Sequence, residues 1–331
     1  MKRYITLITV AVLTIAASLY FIRIAKHAQP VASVANITIA QAGDFFLYAP
    51  LYVALDAGIF SEEGINVSLT TTGGDDKTWA SVISGSAQFG VADPTFVAVS
   101  TERGQPGRVV ASIVNGVPFW GVTFRKDIKE IKTPRDLDGY SVATFPSPST
   151  AYTLQSAMFK SGNIEPKIVQ GAFGTLLNIL EAKRADIALE LEPNVSVAVG
   201  RGAHVVYSMS NVYGDFAITG LTTTPEQIRD HPDIVRRVVW SLTQAMRLIR
   251  NDRPKALTLL TKRFPEIKAE VAAQALDRVV ADGIIPKDAI TTESAWTKAI
   301  KLRVDAGDVK STGRFLNYVD NTFAAEAANR K

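Results

Sequence analysis

Strand and helix signals alternate along this chain twice over, and that rhythm leaves few folds open. Ile37 to Ala40, Ile65 to Leu69, Phe89 to Val91 and Arg108 to Val114 read as strands. Pro50 to Phe60 and Lys77 to Ser84 read as helices between them, with Gly58 as a stop for the first. Pro94 opens another helix, because its missing N–H costs nothing in a first turn. The rhythm then returns. Tyr140 to Thr144, Lys167 to Val169, Asp186 to Leu189 and His204 to Tyr207 are strands, with helices at Ser149 to Lys160, Leu176 to Ala182 and Val195 to Val199. Each half predicts a mostly parallel sheet covered by helices: an α/β protein in two units.

Residues 225–331 carry no convincing strand. Pro232 opens an amphipathic helix, with Val235, Val238, Val239, Leu242, Met246 and Ile249 at helical spacing. Val271, Leu276 and Val279 mark a second helix, and Trp296, Ile300 and Val304 a third. This tail is expected to pack back onto the first sheet. Pro118 to Phe124 and Phe216 to Leu221 then become the crossings between lobes. Lobe one would comprise residues 36–124 with 217–331, and lobe two residues 125–216. Two crossings make a hinge and a hinge makes a cleft, with ligands expected beyond the carboxyl ends of the strands.

The formal charge of +4 overstates how basic the protein is. Lys2, Arg3, Arg23 and Lys26 fall in the first 35 residues, which hold no acid, so the remainder is close to neutral. No Lys/Arg run interleaved with aromatics follows, which argues against nucleic acid as a partner. Cysteine is absent, excluding disulfides, thiolate metal sites, a cysteine nucleophile and a lipidated N-terminal cysteine. Met1-Lys2-Arg3 precedes an uncharged apolar run from Tyr4 to Ile22, and Ser33-Val34-Ala35 offers small residues for cleavage. The run is longer than the ~7–15 residues of a typical signal and close to the ~20 of a spanning helix. Residues 1–35 are therefore expected to be a signal peptide or an N-terminal membrane anchor. Both readings export residues 36–331.

Leu51-Tyr52-Val53-Ala54-Leu55-Asp56-Ala57-Gly58-Ile59-Phe60-Ser61-Glu62-Glu63-Gly64-Ile65-Asn66-Val67 resembles a family signature. The family is the solute-binding proteins of ABC importers for aliphatic sulfonates, taurine, nitrate and the thiamine pyrimidine precursor. Gly85-Ser86-Ala87-Gln88-Phe89-Gly90, Thr133-Pro134-Arg135-Asp136-Leu137-Asp138-Gly139, Ala185-Asp186-Ile187-Ala188 and Glu192-Pro193 resemble further family segments. The resemblance implies a two-lobed type 2 periplasmic binding protein fold, a permease partner in the membrane, a monomer and no cofactor. Gln88 and Asp93 depart from the residues common in relatives. The same fold hosts a cysteine-dependent pyrimidine-forming protein, whose chemistry the absence of cysteine rules out, and some menaquinone-pathway enzymes.

Candidate pocket groups fall on the loops after strands. Asp44, Phe45 and Tyr48 follow the first strand, and clefts favour such aromatics. Gly73 and Gly74 allow backbone N–H groups to approach a ligand, while one of Asp75 and Asp76 is expected to cap the next helix. Asp93 and Asn115 end later strands. In the second unit, Ser147, Ser149 and Thr150 lie at a helix start, where one hydroxyl can cap and another bind. Phe173, Glu190, Glu192 and Tyr213 complete the set. His27, His204 and His231 stand outside any catalytic pattern, and no nucleophile elbow or phosphate-binding loop occurs. The acids and aromatics favour a pyrimidine-like heterocycle over sulfonate or nitrate. An enzyme on the same fold and a membrane-tethered sensor remain the other readings.

Overall fold

The computed structural model describes residues 34–147 and 149–330. The segment read as a signal or an anchor therefore lies, apart from Val34 and Ala35, outside the described residues. In the described residues no helix is long and apolar enough to cross a membrane.

The first sheet contains β1 (Ala35–Gln41), β2 (Ile65–Thr71), β3 (Phe89–Ala92) and β4 (Arg108–Asn115). Helices α1 (Ala49–Asp56), α2 (Ile59–Glu62), α3 (Asp75–Ile83) and α4 (Phe96–Thr101) connect them. Gly58, at φ 79°, ends the first helical stretch and turns the chain into α2. The second sheet contains β5 (Trp120–Thr123), β6 (Val142–Thr144), β7 (Ile168–Gln170), β8 (Ile187–Glu190) and β9 (His204–Ser208). Its helices are α5 (Thr150–Ser161), α6 (Leu176–Glu181), α7 (Asn194–Gly200) and α8 (Met209–Tyr213). The chain then returns to the first sheet as β10 (Ala217–Thr223).

The two sheets share one plan, in the orders β2-β1-β3-β10-β4 and β7-β6-β8-β5-β9. β1 pairs parallel with β3, and β6 parallel with β7 and β8. In each sheet the fourth strand is antiparallel: β10 lies between β3 and β4, and β5 between β8 and β9. This is the two-lobed α/β arrangement anticipated above. β3 and β8 are buried at every position, as strands covered on both faces must be.

The two expected crossings are themselves strands. Trp120–Thr123 pairs within the second sheet, so these residues do not belong with lobe one. Periodicity cannot tell a buried four-residue strand from an apolar connection. The segments that change sheets lie just outside the strands. Asn115 Nδ2 donates to Asp215 Oδ1 at 3.2 Å, and the Gly116 N–H to the Phe216 carbonyl at 2.9 Å. Gly116 has φ 74°, and a Cβ there would stand 2.9 Å from Ser210 Oγ.

The tail comprises α9 (Pro225–Asp230), α10 (Pro232–Asn251), α11 (Arg253–Arg263), α12 (Ala269–Ala281), α13 (Glu293–Asp305) and α14 (Thr322–Asn329). α10 buries the stripe from Val235 to Ile249 against α1, α14 and β4, and α13 packs on β10. Each fully buried aliphatic side chain contributes roughly 1.5–3 kcal/mol. The tail thus packs on lobe one, but α12 also meets α7 of the second lobe. Just beyond α12, Asp282 accepts from Trp120 Nε1 at 2.6 Å and from the Ser208 hydroxyl at 3.1 Å.

Candidate functional site

Three cavities lie where the loops of the two lobes meet. An inner chamber of about 160 Å³ is lined by Tyr48, Asp75, Asp93, Phe119, Thr150 and Thr219, among others. An outer chamber of about 630 Å³ is lined by Phe46, Phe173, Val197, Phe264, Ile267 and Val271, among others. Phe45 and Leu191 line both. The third, of about 210 Å³ and lined by Phe216 and Arg303 among others, shares Asp93, Thr150 and Ile218 with the inner chamber.

The loop after β1 is held from below. Gln41 is fully buried, accepts from the Tyr52 hydroxyl at 3.1 Å, and donates to Asp44 Oδ1 at 2.5 Å and Thr71 Oγ1 at 3.0 Å. Asp44 is thereby tied to lobe one at the rim. A Cβ on Gly43 would stand 2.7 Å from the Phe45 ring, so that ring occupies space only glycine leaves. Phe45 meets Tyr48 edge-on at 5.4 Å and Phe173 at 5.9 Å. Phe173 stacks on Phe145 at 5.7 Å, and Phe145 reaches Phe119 at 6.1 Å. The aromatic chain spans the cleft from lobe one to lobe two. Burial first, then the nearby Asp75 charge, raises the Tyr48 hydroxyl well above its ordinary pKa, so it remains a donor.

Asp75 is the first residue of α3, but it caps nothing; Gly74 is the N-cap residue. Its Oδ1 accepts the Asp93 N–H at 2.9 Å. Burial, and next the Asp93 charge, push the Asp75 carboxyl up to about 6. Asp93 is better supplied. Oδ1 accepts from the Thr95 N–H at 2.8 Å and hydroxyl at 2.6 Å, while Oδ2 takes Arg303 Nη2 at 2.6 Å. Arg303 also reaches Thr95 and Asp308, with its guanidinium 4.6 Å from the Phe96 ring centre. The inner chamber thus contains one acid matched by arginine and one that is not. No basic side chain lines it among the described residues.

In lobe two, Ser149 caps α5 by accepting the Tyr152 N–H at 3.3 Å, while Thr150 lines the inner chamber. Phe173 is 58 % exposed at the mouth of the outer chamber. Glu190 and Glu192, expected to offer carboxylates to a ligand, have other roles. Glu190 is sealed and lines neither chamber. Its Oε2 accepts from the Leu191 N–H at 3.3 Å and from Asn194 Nδ2 at 3.2 Å, and Oε1 has no partner among the described residues. Burial pushes this carboxyl up to about 7. Glu192 contributes to the outer wall, but its carboxylate is taken by Arg278 Nε at 2.6 Å, the Ser196 N–H at 3.0 Å and the Ser196 hydroxyl at 2.9 Å. Burial is the leading influence on it, and raises it.

Other expected residues serve the frame. Asn115 links the two inter-sheet segments, and the Tyr213 hydroxyl donates to the Leu154 carbonyl at 2.7 Å. The Ser147 N–H donates to Gln170 Oε1 at 3.0 Å. Gly73 turns the chain at φ 81°, and the Gly74 carbonyl accepts from Thr78. None of these lines either chamber. Phe119, Leu191 and Arg303 are not expected from the sequence, and Asp76, expected at the cap of α3, lies in its first turn with no side-chain cap bond. Arg303 lies 210 residues from Asp93, and no local pattern links the two. No group of three or more metal-ligating side chains occurs among the described residues. The inner chamber offers a carboxyl, hydroxyls and aromatic faces, a set suited to a flat molecule with N–H donors.

A family model described as NMT1/THI5 like matches residues 46–256, more than half of the chain. YtlA of Bacillus subtilis (strain 168), named as a binding protein, is 20% identical over 307 residues, covering 89% of this chain and 91% of its own. The riboflavin-binding protein RibY of Chloroflexus aurantiacus is 23% identical over 248 residues, covering 72% and 68%. The crystal structure of the periplasmic aliphatic sulphonate binding protein SsuA from Escherichia coli superposes with a TM-score of 0.69 at 15% identity, over 86% of this chain and 92% of that one. That likeness carries the fold. The family match runs through both sheets that frame the chambers, and the chain belongs to the NMT1/THI5-like family.

Proposed function

We propose that this chain is the extracytoplasmic solute-binding component of an ABC importer, a monomer that captures a small organic molecule between its lobes and delivers it to a membrane permease. The observation that carries the reading is the inner chamber, whose walls come from both lobes and close around Asp75. The lobes move about the linked segments near Gly116 and Phe216, in the manner of hinged binding proteins. The reading is of a carrier rather than a catalyst, in keeping with YtlA and RibY, both named for binding.

The ligand is a pyrimidine-like or related flat heterocycle rather than a sulfonate or nitrate. An oxyanion calls for cationic or donor-only surroundings, whereas this chamber presents two acids. Arg303, which lies nearby, is engaged by Asp93. RibY, a relative named for binding a flat heteroaromatic, points the same way. A thermal-shift panel of pyrimidines, thiamine precursors, riboflavin, taurine, alkanesulfonates and nitrate tests this. A true ligand at ~100 times its Kd adds about 2.7 kcal/mol of stability. Stabilisation by a sulfonate or nitrate alone overturns the heterocycle reading.

A further inference from the structure

We propose that the solute is two-ended. A nitrogen heterocycle with N–H donors occupies the inner chamber, and an apolar tail on the same molecule fills the outer one. This rests on the reading of the cleft as the solute site and deepens it by naming the ligand's shape and chemistry.

Small-molecule sites usually measure ~300–1,000 Å³. The inner chamber, at about 160 Å³, falls short of that range, while the outer one, at about 630 Å³, lies within it. A molecule confined to the inner chamber would be a bare ring. The two spaces are neighbours, because Phe45 and Leu191 form part of both walls. Phe45 is half-buried and held by edge contacts to Tyr48 and Phe173. Turning its ring therefore breaks no hydrogen bond.

The chambers also differ in chemistry. Asp75, Asp93, Thr150 and Thr219 give the inner one its polar points. The outer wall is built from Phe46, Val197, Phe264, Ile267 and Val271. Its charged residues Asp44, Arg201, Glu266 and Lys268 are exposed and so belong to the rim, and the Glu192 carboxylate is engaged by Arg278. The wall has contributions from both lobes, Phe264 from the tail packed on lobe one and Val197 from α7 of lobe two. Closure of the lobes therefore encloses both spaces together. A carbon-rich tail gains from such a wall by leaving water, and a polar tail would lose its hydration without recovering hydrogen bonds.

Calorimetric titration of the full chain with 4-(methylamino)pyrimidine and 4-(hexylamino)pyrimidine tests the proposal. Each fully buried methylene strengthens binding by about fourfold, so the five extra methylenes of the hexyl probe should tighten binding by up to about a thousandfold, and by at least about thirtyfold with only half of them buried. Val197→Trp and Val271→Trp fill the outer chamber from two different helices. In each, the hexyl-to-methyl ratio should fall to within about threefold. A methyl probe that binds while the hexyl probe gains nothing overturns the two-chamber proposal and leaves the heterocycle reading standing. A hexyl advantage that survives both tryptophans also overturns it, because the tail then lies elsewhere. If neither probe binds, the aminopyrimidine reading falls and this proposal falls with it.

Discussion

Each lobe carries a pair of acids near the cleft end of its sheet, and the helical tail supplies one arginine to each pair. In lobe one, Arg303 of α13 holds Asp93 at 2.6 Å, and Asp75 has no ion pair among the described residues. In lobe two, Arg278 of α12 holds Glu192 at 2.6 Å, and Glu190 has no ion pair among the described residues. The two unmatched acids then diverge. Asp75 is half-buried on a chamber wall, whereas Glu190 is sealed. Burial leads the upward shift in both, to about 6 and about 7. The two shifts are alike in size, so burial alone does not distinguish the acid on a chamber wall from the sealed one. A shifted carboxyl marks a functional site only where geometry also gives it access.

Removing a tail arginine should have the largest effect. Arg278→Ala leaves Glu192, which is fully buried, without its cation, and should cost about 3–5 kcal/mol in urea unfolding at pH 7. Adding Glu192→Gln should recover much of that loss. A single-variant loss under about 1 kcal/mol would mean that the pair is not what balances the buried acid.

Next comes the sealed acid. A carboxyl whose folded pKa is raised stabilises the fold relative to its ionised state only while protonated. Its contribution is full below the ordinary 4.5 and is lost as pH rises through about 7. Glu190→Gln should flatten that decline, leaving stability near pH 4.5 little changed and raising it by about 2–3 kcal/mol at pH 8. Parallel unfolding curves for the two proteins at all pH values would remove Glu190 from the comparison.

The smallest effect concerns the accessible acid. Asp75→Asn should weaken binding of an aminopyrimidine by about tenfold at pH 7.5, the worth of one charge-assisted hydrogen bond. The wild-type affinity should rise as pH increases through about 6, and the variant's should not. Exposed Asp76, in the first turn of α3, is the control: Asp76→Asn should change stability by under about 1 kcal/mol and leave affinity alone. Equal losses from the two variants would erase the distinction between them.

Much of the frame is legible in the sequence. β1 to β4 and β6 to β9 fall on the expected segments: β3, β4, β6 and β8 because burial on two faces requires near-continuous apolar runs, and the edge strand β2 because its residues alternate between buried or half-buried and exposed. The stripe of α10 was visible because a helix buried along one side repeats every three to four residues. β5 and β10 were read as connections, since a short apolar run carries no period of its own. In the site, Phe45 and Tyr48 were readable as loop aromatics after a strand. Glu190 and Glu192 looked equally available, because sequence does not tell a carboxylate that faces a cleft from one that faces its own helix.

Sequence alone determined two α/β units, a helical tail, the absence of cysteine chemistry and a near-neutral body once the first 35 residues are set aside. These follow from composition and from local periodicity, which neighbouring residues establish between themselves. Only the tertiary structure decided which acids are matched and which chamber is polar. Arg278 and Glu192 stand 86 residues apart, and Arg303 and Asp93 stand 210 apart. Whether such charges meet depends on which face of a tail helix settles on which strand end. That docking is set by packing over the whole core, and electrostatic pairing follows it.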